Sequence, residues 1–159
     1  RQEGIVDISE TEEGRKLLAR VKKLRILVDG NSLNMNGVVK SSLADALEDL
    51  SIEESLIGND LNALVVIVVL EPAGPKVNVT INGFLVAIDQ AGGGLQPVKL
   101  WEKNKKIGTT TLQAIALGKV SNQLQREVKA YFSDLKETVE TARKGPASET
   151  STSDKEKKK

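Results

Sequence analysis

The chain predicts an α+β fold: a four-stranded mixed sheet, strand 1 parallel to strand 2 and strands 2, 3 and 4 in an antiparallel meander, with two main helices on one face. Three observations carry this expectation. Apolar residues make up 39% of the chain and aromatic ones only 3%, so the core must be built from branched aliphatics, which favour a sheet with helices packed on it. The apolar period switches between two and roughly 3.6 along the chain. The later strands are joined by short connections that suit hairpins, whereas the first is followed by a helix and so returns parallel.

Residues 1–14 are polar and acidic, with Ser9, Glu10, Thr11, Glu12 and Glu13 offering cap and first-turn signals. A short helix is expected over 14–23, with Leu17, Leu18 and Val21 at helical spacing. Leu24, Ile26 and Val28 then alternate with Arg25 and Leu27 as the first strand, stopped by the turn cluster Asp29-Gly30-Asn31-Ser32. Val39, Leu43, Ala46, Leu47 and Leu50 trace one stripe on the first main helix. Residues 51–62 have the composition of an irregular connection.

Ala63 to Leu70 is continuously apolar and rich in valine, which predicts a central strand buried on both faces. Glu71-Pro72-Ala73-Gly74-Pro75 is a turn. Val77, Val79 and Ile81 then face one way and Asn78, Thr80 and Asn82 the other, until Gly83 interrupts the pattern as a bulge or a change of buried face. Ala91-Gly92-Gly93-Gly94 closes that strand. In the last one, Val98, Leu100 and Glu102 alternate with Lys99, Trp101 and Lys103, the signature of an edge. The final helix is expected to start near Thr111 and to bury Leu117, Val120, Leu124, Val128, Tyr131, Phe132, Leu135 and Val139, ending at Gly145-Pro146. The organisation is a polar segment 1–14, one α/β sandwich domain over 15–142, and a disordered Lys/Ser/Thr-rich tail over 143–159.

No histidine and no cysteine occurs in the 159 residues. That removes the usual general base near neutral pH, every Ser-His or Cys-His nucleophile pair, and zinc sites of the Cys/His type. No catalytic residue, cofactor or metal is assigned, and the protein is expected not to be an enzyme. The net charge of +1 comes from residues 145–159, which hold four lysines against Glu149, Asp154 and Glu156. A neutral body lacks the field that phosphate-based binding needs, so nucleic acid is disfavoured as a partner.

Asp29 to Gly37 crowds oxygen-bearing side chains, but Leu33 and Lys40 stand where a calcium loop needs ligands, so strand-to-helix turn chemistry is the better reading. Gly92-Gly93-Gly94 lacks the lysine-serine pair of a phosphate loop and fits a hairpin. Asn78-Val79-Thr80 matches a glycosylation sequon inside a strand. Tyr131 is a core residue with its hydroxyl at the rim. Lys99, Lys103, Lys105 and Lys106 surround Trp101, a combination that can stack a base and that also protects an edge strand.

Leu24-Arg25-Ile26-Leu27-Val28, the helix ending Leu43-Ala44-Asp45-Ala46-Leu47, the valine-rich strand, and a long last helix with Val128-Lys129-Ala130-Tyr131-Phe132 resemble small bacterial envelope domains. Those are similar to the amino-terminal domain of TolB and to the periplasmic domain of the curli-secretion lipoprotein. The resemblance spans residues 15–142 and implies a periplasmic or outer-membrane-associated setting, with anchoring through a segment upstream of Arg1; it carries over no site residue.

The functional expectation is a non-enzymatic binding or assembly module acting through a protein partner or as a homo-oligomer. Trp101, Lys99, Lys103 and Lys105 are its candidate partner-binding residues, and Trp101→Ala is expected to leave the fold intact while weakening a complex. The alternatives are a small apolar ligand or lipid held between helices and sheet, and nucleic-acid binding through the Lys99–Lys106 hairpin.

Overall fold

Alternation over 23–30 and the valine run over 63–70 produce the parallel pair at the heart of one sheet. The computed structural model describes residues 5–55, 62–89 and 94–158, with side chains to residue 145. Its elements are β1 (Val6–Asp7), α1 (Glu12–Ala19), β2 (Lys23–Gly30), α2 (Leu33–Asp49), β3 (Glu53–Glu54), β4 (Ala63–Ala73), β5 (Lys76–Asp89), β6 (Gln96–Thr111), α3 (Leu112–Ala116) and α4 (Asn122–Lys158). The sheet order is β1-β6-β5-β4-β2-β3.

The four long strands take the expected arrangement: β2 runs parallel to β4, and β4, β5 and β6 form the antiparallel meander. The strand count is corrected from four to six. β1 lies parallel to β6 at Val98 and Lys99, and β3 lies parallel to β2 at Lys23 and Leu24. Two-residue strands without an alternating run leave no periodic signal, and both come from segments read as polar or irregular. The folded body therefore reaches back through α1 to Val6 rather than beginning at residue 15.

Helices α1, α2 and α4 lie on one side. Leu18, Met35, Val39, Leu43, Leu47, Leu124, Val128, Leu135 and Val139 are buried against Leu24, Leu64, Val66, Val79, Ile81 and Leu85 of the sheet. Thr11 caps α1 through Gly14 N–H (3.0 Å), Ser32 caps α2 through Met35 N–H (3.2 Å), and Ser121 accepts from Leu124 N–H (3.1 Å) at the start of α4. Arg143 of α4 donates to the carbonyls of Leu50 (2.7 Å) and Val21 (3.4 Å), tying together the ends of α2 and α1.

Three local expectations are corrected. The valine-rich β4 is not buried on both faces: Leu64, Val66 and Val68 point under the helices, while Ile67 and Val69 are each 36% exposed on the other side. The last helix does not run from Thr111. Thr111 caps the short α3, Gly118 at φ 74° breaks the path, and Leu117 is 61% exposed. Gly83 is no bulge. It pairs in register with Val66, and inward-outward alternation continues through it. The helical backbone of α4 is interrupted at Gly145 (φ 69°, ψ 179°), where the following proline favours an extended ψ and glycine permits the positive φ, and resumes beyond it.

Candidate interaction surface

The register shift between Leu85 and Val86 decides where the expected site residues lie. Leu85 pairs with Trp101 and Val86 with Lys99, so Leu100 is the extra residue of a β-bulge. One inserted residue reverses the side on which every later side chain falls. Leu100 and Trp101 both turn inward, and Trp101 is 4% exposed. Its ring meets Tyr131 edge-on at 5.9 Å, and Tyr131 meets Phe132 edge-on at 5.0 Å, forming the aromatic centre of the core. The expected surface indole is therefore corrected to a core residue.

The lysines are dispersed by the same shift. Lys99 projects from the face opposite the helices and pairs with Glu102 at 2.6 Å and Asp7 at 4.0 Å. The hydrogen bond to Glu102 raises the Lys99 ammonium above its ordinary value, and Ser9 N–H and hydroxyl bonds lower the Asp7 carboxylate, with Lys99 assisting. Lys103 lies on the helix side, 3.4 Å from Asp134 of α4 and 6.0 Å from the Tyr131 ring centroid. Lys105 is exposed on that side at the sheet margin. Sequence proximity brings these four residues to two different faces, and two of the three lysines are already ion-paired.

What sequence reasoning missed is the face of the sheet that no described element covers. Leu27, Val65 and Phe84 form one row across β2, β4 and β5 by strand register. Arg25, Ala63 and Val86 form the row on one side of it, and Asp29, Ile67 and Asn82 the row on the other. Leu27 is 47% exposed, and Val65, Phe84 and Val86 are half-buried by their neighbours alone. Lys99, Glu102, Asn104 and Lys106 of β6 edge this aliphatic area. A detectable signal existed: Leu27 stands between charged residues at Arg25 and Asp29, which marks its side of β2 as open.

One further concavity is largely polar. A cleft of about 670 Å³ between the starts of α2 and α4 is lined by Asn34, Ser42, Asp45, Gln125, Arg126 and Lys129 among others. It offers hydrogen-bonding groups and charges of both signs. Asp29 and Gly30 belong to β2, and Leu33 to Gly37 open α2, so the oxygen-rich stretch is no ion-binding loop. Among the described residues no group of acidic side chains could hold a metal ion, and no helix is long and apolar enough to cross a membrane. Gly92 and Gly93 lie outside the described residues.

No family model and no curated protein matches the sequence. Among solved structures, lipoprotein GNA1162 from Neisseria meningitidis is 13% identical, with 72% of this chain and 97% of that one covered at a TM-score of 0.39. A minor lipoprotein from Acinetobacter baumannii is 14% identical over 77% and 94% of the two chains, with a TM-score of 0.36. The rare lipoprotein B from Shewanella oneidensis is 14% identical over 86% and 99%, with a TM-score of 0.29. These three structures are bacterial lipoproteins, at a likeness too low to assign a fold family or a function, and the resemblance to the TolB domain rests on element order alone.

Proposed function

We propose that this chain is a non-enzymatic binding module whose working surface is the bare face of the sheet, and that its partner is a protein presenting an aliphatic surface of its own. The observation that carries the reading is the contiguous row Leu27–Val65–Phe84, flanked by Ile67 and Val69, which no described element covers because every long helix lies on the opposite side. Exposed aliphatics gathered across adjacent strands, rimmed by charges, are the mark of an association surface rather than of scattered surface residues.

The reading of an internal apolar ligand is weakened by how the core is filled. Trp101, Tyr131 and Phe132 occupy the layer between α4 and the sheet, all at 4% exposure or less. The envelope setting implied by element order is kept as part of this proposal, and fractionation of the native host tests it.

The module is tested by isolating the tagged protein from its host with its partner. Ile67→Lys and Val69→Lys place charges on the bare face. Each is expected to keep the far-ultraviolet spectrum of the parent and to lose the co-purifying protein. Retention of that protein by both variants would contradict the reading, and so would retention of an apolar small molecule in native mass spectrometry of the parent in place of any protein.

A further inference from the structure

We propose that two copies of this chain pair antiparallel through the outer edge of β2, about a two-fold axis at Leu27. The inference rests on the reading of the chain as an assembly module, but it uses a strand edge rather than the bare face, which stays free.

The backbone shows which groups of β2 no described strand meets. Arg25 N–H donates to the Asn62 carbonyl at 3.0 Å, so residues 25, 27 and 29 turn their peptide groups toward β4. Ser55 N–H donates to the Leu24 carbonyl at 2.7 Å, so residues 24, 26 and 28 turn theirs outward. β3 covers that edge only as far as Leu24. Among the described residues no strand lies against the outward N–H and C=O groups of Ile26 and Val28. Unmet strand groups call for another strand.

The side chains specify whose. With Ile26 opposite Val28 of a second copy, both residues form hydrogen-bonded pairs, and Leu27 faces its own counterpart in the closer position between them. That register sets Arg25 against Asp29 and Asp29 against Arg25, so one self-complementary pattern is satisfied twice. Both side chains are exposed, and neither has an ion pair among the described residues. Charges on an edge usually repel foreign strands. Opposite charges placed symmetrically about a leucine admit the antiparallel copy, whereas an in-register parallel pairing would set Arg25 against Arg25.

The helix side fits the same occupant. Ile26 and Val28 floor a groove of about 310 Å³ whose wall is Leu43, Ala44 and Leu47 of α2, with Lys40 and Glu54 at its rims. The approaching copy brings its own Ile26 and Val28 to that side, where aliphatic carbon meets aliphatic carbon. β3 takes over the edge at Leu24 and β2 ends at Gly30, so the pairing is confined to residues 25–29.

The experiment is oxidative cross-linking with sedimentation equilibrium on the full chain. The absence of cysteine means that Leu27→Cys introduces a single thiol. Cα atoms at a non-hydrogen-bonded antiparallel position are about 4.5 Å apart, within disulfide range. Leu27→Cys is expected to form a covalent dimer rapidly under mild oxidation, and Ile67→Cys, on the bare face of the neighbouring strand, is not. Arg25→Asp should weaken the dimer by about tenfold or more, and adding Asp29→Arg should restore it. The inference is overturned if the parent is monomeric at every concentration, if Leu27→Cys cross-links no faster than Ile67→Cys, or if the double reversal is as weak as the single one. A monomer that still loses its host partner on Ile67→Lys overturns the pairing and leaves the bare-face reading standing.

Discussion

Tyr131 and Gly83 are fitted to each other. The Tyr131 hydroxyl donates to the Lys103 carbonyl at 2.6 Å on the strand beside Gly83, and a Cβ on Gly83 would stand 2.5 Å from that hydroxyl oxygen. A glycine in the middle of β5 is thus explained by the phenol that passes over it, with φ playing no part. Gly83→Ala should destabilise the protein by about 1–3 kcal/mol through overpacking. In a Tyr131→Phe background the same substitution should cost clearly less, a coupling that urea unfolding of the four proteins measures.

Tyr131 also gives the protein an alkaline limit. Burial pushes its phenol well above the ordinary value, with Asp134 adding to the effect. The folded state therefore keeps the proton while the unfolded chain loses it above about pH 10, so stability falls as pH rises beyond that point, by up to about 1.4 kcal/mol per pH unit. Below pH 10 both states hold the proton and the group adds no slope. Since Tyr131 is the single tyrosine, tyrosinate absorbance should appear only with unfolding, and Tyr131→Phe should lack this part of the alkaline loss.

Trp101, the single tryptophan, should emit at the short wavelengths of an apolar environment and shift to longer ones on unfolding. Trp101→Ala removes a buried ring that touches Tyr131 and should cost about 3–5 kcal/mol. Fluorescence of the parent and thermal unfolding of the variant check both statements.

Arg143 connects the carboxyl-terminal ends of α1 and α2 to α4. Arg143→Met keeps the aliphatic stem and removes both donors, which should lower stability by about 1 kcal/mol in urea unfolding. Lys136, 3.1 Å from Asp49, makes a solvent-exposed ion pair between α4 and α2 alone, and Lys136→Met should change stability by less than about 1 kcal/mol.

The periodic part of this fold was legible in the sequence. Val39, Leu43, Ala46, Leu47 and Leu50, all foreseen as one stripe, are all buried, and Leu24 alternates inward with Arg25 outward as expected. Ile67 and Val69 were misplaced because periodicity reports the side of an element and not what lies there. The run Ala63–Leu70 has no polar residue to mark an open side, so Ile67 and Val69 looked buried although each is 36% exposed and no described element covers them. A bulge at Leu100 leaves no trace in residue types, yet it moved Trp101 into the core and separated Lys99 from Lys103 and Lys105. Gly83 was legible as an exception, but its reason lies in Tyr131, 48 positions along the chain.

Thiol labelling at neighbouring positions of β4 tests the bare face most directly. Ile67→Cys and Val68→Cys differ by one residue and by side, at 36% and 4% exposure. The account predicts that Ile67→Cys reacts with a thiol reagent in the folded, isolated protein and becomes protected in the partner complex, while Val68→Cys resists labelling in both. Equal reactivity at the two positions, or an unreactive Ile67→Cys in the isolated protein, would contradict it.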